Sequence, residues 1–369
     1  MLYYLAEYIN KKFNPPGFDI FRFLTWRSAI SAITAMIICF WIGPKILKLL
    51  NEKKVTDEIR NDGPKSHLVK AGTPTMGGVI VLLSVLIPVL LWGDLKNTYV
   101  ILILISTVWM GTVGFIDDYL KVFKKMKKGL VARYKLMNQI ALGLVIACLI
   151  YFLPEFKNIN SITTIPFLKQ LEFDFSYVYI PIMVFIITAT SNAVNLTDGL
   201  DGLAIGCVGI AALALGLISY LSGNEIFSRY LNIIYLPGNG ELAVYCAALV
   251  GASLGFLWFN SYPAQVIMGD TGSLALGGAI GTLSILVKKE FLLPILGGIF
   301  FAESLSVIVQ RYYFKYTKKR YGEGKRIFKM APFHHHFELK GIPEPKIVTR
   351  FYIVAVILAI LTFATFKIR

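Results

Sequence analysis

The sequence predicts an all-α integral membrane protein of about ten transmembrane helices, with an active site gathered at the cytoplasmic face. Three observations predict it. The 369 residues are 56% hydrophobic with a mean hydropathy of +0.64, more than a soluble domain ordinarily carries. Apolar runs near the ~20 residues that cross a bilayer core about 30 Å thick recur along the whole chain. Basic residues collect in alternate loops: 25 of the 37 lie in Lys45–Lys70, Lys121–Lys135 and Arg311–Arg350, as loops retained in the cytoplasm require.

In order, the apolar runs are Ser28–Ile46, Met76–Leu91, Tyr99–Ile116, Leu136–Leu153, Val178–Val194, Leu203–Leu221, Leu242–Phe259, the short Leu274–Val287, Phe291–Val309 and Phe351–Phe366. The first sixteen residues are amphipathic and end in Pro15-Pro16, which predicts an interfacial helix before the first span. Residues 1–369 form one polytopic domain with both termini outside and cytoplasmic loops at about 47–75, 117–135, 195–202, 260–273 and 310–350. The N-terminus lacks the features of a cleavable signal peptide, so the first span is expected to direct insertion. Cys39, Cys148, Cys207 and Cys246 all fall inside spans without paired spacing, which suits packing rather than disulfides or metal. The net charge of +15 suits anionic head groups and a multiply anionic substrate, with no nucleic-acid partner expected.

The motif around which the chain is organised is Asn195-Leu-Thr-Asp-Gly-Leu-Asp-Gly202. Asn195, Asp198 and Asp201 recur every third residue and share one face if the helix continues, with Thr188, Ser191 and Asn192 extending the stripe backwards. Carboxylates facing lipid cost on the order of 3 kcal/mol, so this stripe must face protein or water. Asp117 and Asp118 close the third span; their side chains leave a helix about 100° apart, so one faces a site while its neighbour grips the basic loop. Thr73-Pro-Thr-Met-Gly-Gly78 breaks regular structure at the second span, bringing Thr75 and Lys70 to the membrane surface, although Lys70 alone reads as one more loop lysine. Asn260 ends the seventh span. Asp270 sits between Gly269 and Gly272, either converging with backbone N–H groups on a ligand or capping a turn. In Pro332-Phe-His-His-His336, read as extended, successive imidazoles diverge and suit separate contacts better than a three-histidine metal site. Glu303, inside the ninth span, suits helix–helix hydrogen bonding.

All these groups emerge on one face of a ten-span bundle, which points to one site. Its hard oxygen donors favour Mg²⁺, and its lysine and histidine suit phosphate. A cation-coupled transporter would use the same aspartates, but near the midplane on broken helices rather than at loop mouths.

Four ordered motifs, Phe115-Ile-Asp-Asp118, Asn195–Gly202, Met268-Gly-Asp-Thr-Gly272 and Pro332–His336, resemble those of the phospho-N-acetylmuramoyl-pentapeptide transferase (MraY) family over nearly the whole chain. The resemblance implies transfer of phospho-MurNAc-pentapeptide from UDP-MurNAc-pentapeptide to undecaprenyl phosphate, giving lipid I and UMP at the bacterial inner membrane. It implies that Asp270 ligates Mg²⁺, that Asp117 positions the lipid phosphate with Asp118 in support, and that Lys70 holds phosphate oxygens. Asn195 and Asp198 would line the sugar-diphosphate region and Asp201 and Asn260 would read uridine. His334 and His335 would contact the muramoyl-peptide side, with His336 structural and Thr75 and Gly269 framing the substrate. Ile267 departs from the Phe usual before Met-Gly-Asp. A homodimer is left open.

Overall fold

The computed structural model describes residues 1–53, 55, 72–126, 129–165 and 172–366. Each of the ten apolar runs contains a helix. In chain order the helices are α1 (Leu2–Phe13), α2 (Leu24–Glu52), α3 (Gly78–Trp92), α4 (Thr98–Val122), α5 (Ala132–Phe152), α6 (Tyr179–Thr197) and α7 (Leu203–Ser222). They continue with α8 (Glu225–Leu231), α9 (Leu242–Asn260), α10 (Gly269–Leu286), α11 (Leu293–Leu296), α12 (Gly298–Tyr321), α13 (Phe333–Glu338) and α14 (Glu344–Ala364). Among the described residues, seven helices are long and apolar enough to cross a membrane, and the bent pair α11–α12 makes up to eight. The expected count of ten therefore includes two helices of a different kind. α3 has 15 residues, about 22 Å at 1.5 Å per residue. α10 has 18, many of them Gly, Ser or Thr.

α10 is the central rod. Every residue from Thr271 to Leu286 is buried, against α4, α6, α3 and α7. Its small residues let neighbouring backbones approach closely, the usual device of membrane helix packing. A Cβ on Gly114 of α4 would stand 2.2 Å from the Asp270 carbonyl oxygen, so only glycine permits this crossing. The site therefore forms where α10 begins and α4 ends.

Three expectations are corrected. The ninth run is not one straight span: its two helices are bent by 83° at Gly297. The stretch from Arg311 is not all loop, because it carries neither Pro nor Gly before Gly322 and α12 runs on to Tyr321. Gly322 then ends it in the left-handed conformation. At the other end of the bundle, the loop after α5 holds a small antiparallel hairpin, β1 (Ile162–Thr164) with β2 (Glu172–Asp174), so the chain is nearly rather than wholly α.

Candidate active site

Asp117, Asp118 and Asp270 come together with ligand oxygens within 4.8 Å of one another. Asp117 is fully buried near the C-terminal end of α4, where the helix dipole disfavours an anion, so cations must hold it. Lys121, one turn on, lies 2.7 Å from Asp117 Oδ2, and Lys135 from the start of α5 lies 2.9 Å from the same oxygen. Both ammonium groups also reach Asp270 Oδ2, at 2.9 and 2.5 Å. Two carboxylates thus share two lysines. Asp117 Oδ1 accepts the Leu130 N–H at 2.6 Å, which fastens the basic loop to α4.

The expected division between the pair is not seen: Asp117 both faces the cluster and holds the basic loop, while Asp118 binds the start of α10. Its carboxylate accepts from the backbone N–H of Asp270 at 3.2 Å and of Thr271 at 2.8 Å, and from Thr271 Oγ1 at 2.6 Å. It caps the N-terminus of α10, where free N–H groups and the dipole favour an anion. Gly269, at φ +75°, makes the left-handed entry to this helix, with Asp118 and Thr75 packed where a side chain would be. Asn195 Nδ2 donates to Asp270 Oδ1 at 2.7 Å and to Ser273 Oγ at 2.8 Å, orienting the carboxylate from α6. The donor set is carboxylate oxygen, partly exposed at Asp270, and fits a hard divalent cation.

The helical stripe expected for Asn195, Asp198 and Asp201 does not continue, because α6 ends at Thr197 and Gly202 turns the chain at φ +80°. The turn carries the aspartates inward by another route. Burial first, then the negative charges of Asp270, Asp118 and Asp201, push the Asp198 carboxyl up to about 8; the Gly269 N–H opposes the shift. Asp201 Oδ2 accepts from Ala264 N at 3.0 Å, and its own N–H donates to Glu344 at 2.6 Å. Asn260 accepts the Gly202 N–H at 3.1 Å and donates to the Val266 carbonyl. A cavity of about 580 Å³ opens beside Asp201, lined by Thr73, Tyr262, Glu338 and Glu344 among others.

The histidines lie on a short helix, α13, that begins directly after Pro332, not on an extended segment. They still diverge. His334 is fully buried against Glu303 and Gly199, His335 Nδ1 pairs with Glu338 at 2.7 Å, and His336 Nδ1 accepts the Lys329 N–H at 3.1 Å. Burial, followed by Lys340 and Lys329, lowers the His336 pKa. Beside α13 an open, mainly apolar groove of about 330 Å³ runs along α12 and α14, lined by Ile299, Phe333, Phe337, Phe351 and Leu358 and flanked by Glu303.

Thr75, Asp117, Asp118, Asn195, Asp198, Gly269 and Asp270 therefore form one cluster, with Asp201 and Asn260 on its second turn and His334 behind Gly199. Lys70 and His67 lie outside the described residues. Sequence reasoning overlooked Lys121 and Lys135 as site residues. The i, i+4 spacing from Asp117 was a signal for Lys121; Lys135 arrives from another helix and had none.

Sequence comparisons identify the family. Residues 100–288 match the family described as Glycosyl transferase family 4, and residues 70–82 match the phospho-N-acetylmuramoyl-pentapeptide-transferase signature 1. The phospho-N-acetylmuramoyl-pentapeptide-transferase of Pelodictyon phaeoclathratiforme is 52% identical over 369 residues, covering all of both chains. The chain belongs to the phospho-N-acetylmuramoyl-pentapeptide transferase family. Transferases of the same name from Chloroherpeton thalassium and Flavobacterium psychrophilum are 50% and 47% identical, again over the whole of both chains. As a family member it is a transferase of peptidoglycan synthesis held in the membrane by several apolar helices, and the family acts on a nucleotide sugar and a membrane lipid carrier.

Proposed function

We propose that this site transfers phospho-MurNAc-pentapeptide from UDP-MurNAc-pentapeptide to undecaprenyl phosphate, giving lipid I and UMP at the inner membrane with the site facing the cytoplasm. The observation that carries this reading is the meeting of Asp117, Asp270, Lys121 and Lys135, the carboxylates and ammonium groups that two phosphate substrates need. A lipid phosphate oxygen attacks the sugar-linked phosphorus in line, forming one P–O bond as the phosphoanhydride bond breaks and UMP leaves with the electron pair. The acceptor, with a second phosphate pKa near 6, is already largely dianionic at neutral pH, so Asp117 positions it rather than acting as a strong base. Lys121, Lys135 and, outside the described residues, Lys70 hold phosphate oxygens and offset the repulsion between two anions.

Asp270 would hold Mg²⁺, with Asp117 and Asp118 in reach. A bound Mg²⁺ supplies charge neutralisation on the diphosphate oxygens. Asp118 keeps the α10 terminus in place, Asn195 and Asp198 line the sugar diphosphate, and Asp201 and Asn260 read uridine. Thr75 and Gly269 frame that region, while His334 and His335 face the muramoyl-peptide. The apolar groove beside α12 suits the acceptor's hydrocarbon chain. The 369 residues act as one domain.

Purified protein given UDP-MurNAc-pentapeptide, UDP-GlcNAc, undecaprenyl phosphate and Mg²⁺ should make the MurNAc-pentapeptide lipid; a GlcNAc-phosphate lipid as sole product rejects the assignment. Inversion at a chiral phosphorus supports single displacement, and overall retention indicates an aspartyl-phosphate intermediate instead.

A further inference from the structure

We propose that Glu303 is a positioning residue that fixes the tautomer of His334, holding the ring proton on Nδ1 and turning Nε2 toward the Gly199 turn as an acceptor. This inference rests on the functional reading above for the role of His334, and on geometry alone for the tautomer. Glu303 lies in α12, just past the bend at Gly297, and is 1% exposed. Its carboxylate accepts the backbone N–H of His334 at 3.1 Å. The ring Nδ1 of the same histidine is 3.1 Å from Oε2, within ion-pair reach though off the line of a hydrogen bond. One carboxylate therefore grips both the backbone and the ring of one residue. Nε2, fully buried, has no hydrogen-bond partner among the described residues. It lies against Gly199, where an added Cβ would stand 2.2 Å away.

A carboxylate only accepts, so the nitrogen facing it carries the proton and the opposite nitrogen is left with a lone pair. Nε2 thus faces the turn between Asp198 and Asp201 as an acceptor. A buried acceptor without a partner is costly, and such a group in a folded protein marks a strained or functional position.

Glu303→Gln tests this with little change in shape. The glutamine carbonyl still accepts the His334 backbone N–H, but its NH₂ faces Nδ1 and favours the other tautomer. Histidine ¹⁵N spectra above pH 8, with His334→Ala identifying the resonance, should show Nδ1–H in the wild type and Nε2–H in Glu303→Gln. A wild-type ring protonated on Nε2 overturns the inference. In the transferase assay, kcat of Glu303→Gln should fall about tenfold to a hundredfold, as for other partners that orient functional histidines. In a His334→Ala background the same substitution should cost less than twofold, because Glu303 acts through that ring. An equal loss in both backgrounds indicates a structural role and overturns the coupling. Wild-type protein that makes no lipid product removes the transferase reading while leaving the tautomer measurement to stand or fall separately.

Discussion

Replacing Gly114 with alanine should separate α4 from α10 and disable the site without unfolding the bundle. The new Cβ would lie 2.2 Å from the Asp270 carbonyl oxygen and 2.7 Å from Thr271 Cα, where ordinary contact begins at 3.4 Å. Both neighbours are backbone and cannot swing aside, so the helices must part by on the order of 1 Å. The Asp118 bonds to the N–H groups of Asp270 and Thr271, now 3.2 and 2.8 Å, would stretch beyond useful length. A misplacement of about 1 Å costs roughly 10²-fold in rate, or about 2.7 kcal/mol of barrier. UMP release by purified protein measures it, with size-exclusion profile and thermal midpoint reporting folding. Gly111→Ala is the control: its Cβ would meet Leu82 Cδ1 at 2.7 Å, the end of a side chain that can rotate, so kcat should stay within about threefold. Wild-type turnover by Gly114→Ala, or equal damage from both substitutions, would refute the idea that this crossing sets the active geometry.

Asp270→Asn should abolish turnover and weaken metal binding with folding intact; near-normal turnover removes its proposed role. Lys135→Met withdraws one of two cations from the space between Asp117 and Asp270. Turnover should fall about tenfold or more while the half-saturating Mg²⁺ concentration drops, because a competing cation has gone; a rise in that concentration contradicts the arrangement. The Asp198 carboxyl, raised to about 8, gives a pH dependence of definite sign. The folded protein binds this proton when the unfolded chain does not, so metal-free stability is greatest below the ordinary carboxylate range and declines as pH rises toward 8, by up to about 1.4 kcal/mol per pH unit. Thermal midpoints of magnesium-free protein should show that decline, and Asp198→Asn should flatten it; parallel curves would count against a half-buried, neutral Asp198.

Much of this was legible in the chain because membrane burial makes polar residues conspicuous. Asp117, Asp118, Asn195 and Asp270 stand out against apolar neighbours, and each reached the cluster. Periodicity failed where backbone chemistry took over: Asp198 and Asp201 left the expected stripe because glycine ends the helix. It failed again at the histidines, where six helical residues are too few to carry a period. The bend at Gly297 had a signal in Pro294 and the Gly297-Gly298 pair, which a reading by span length and hydropathy passes over. Lys135 illustrates the remaining gap, since nothing local tells a loop lysine from one that crosses between helices to two aspartates.

The groove beside α12 begins at Gly298, just past the sharp corner with α11, and stands open along α14. On the proposed reading that this groove takes the acceptor's hydrocarbon chain, the acceptor would enter from within the bilayer and its relevant concentration would be two-dimensional. Initial rates should then follow the mole fraction of acceptor among the surrounding lipids, falling when inert lipid is added even though the amount per millilitre is unchanged.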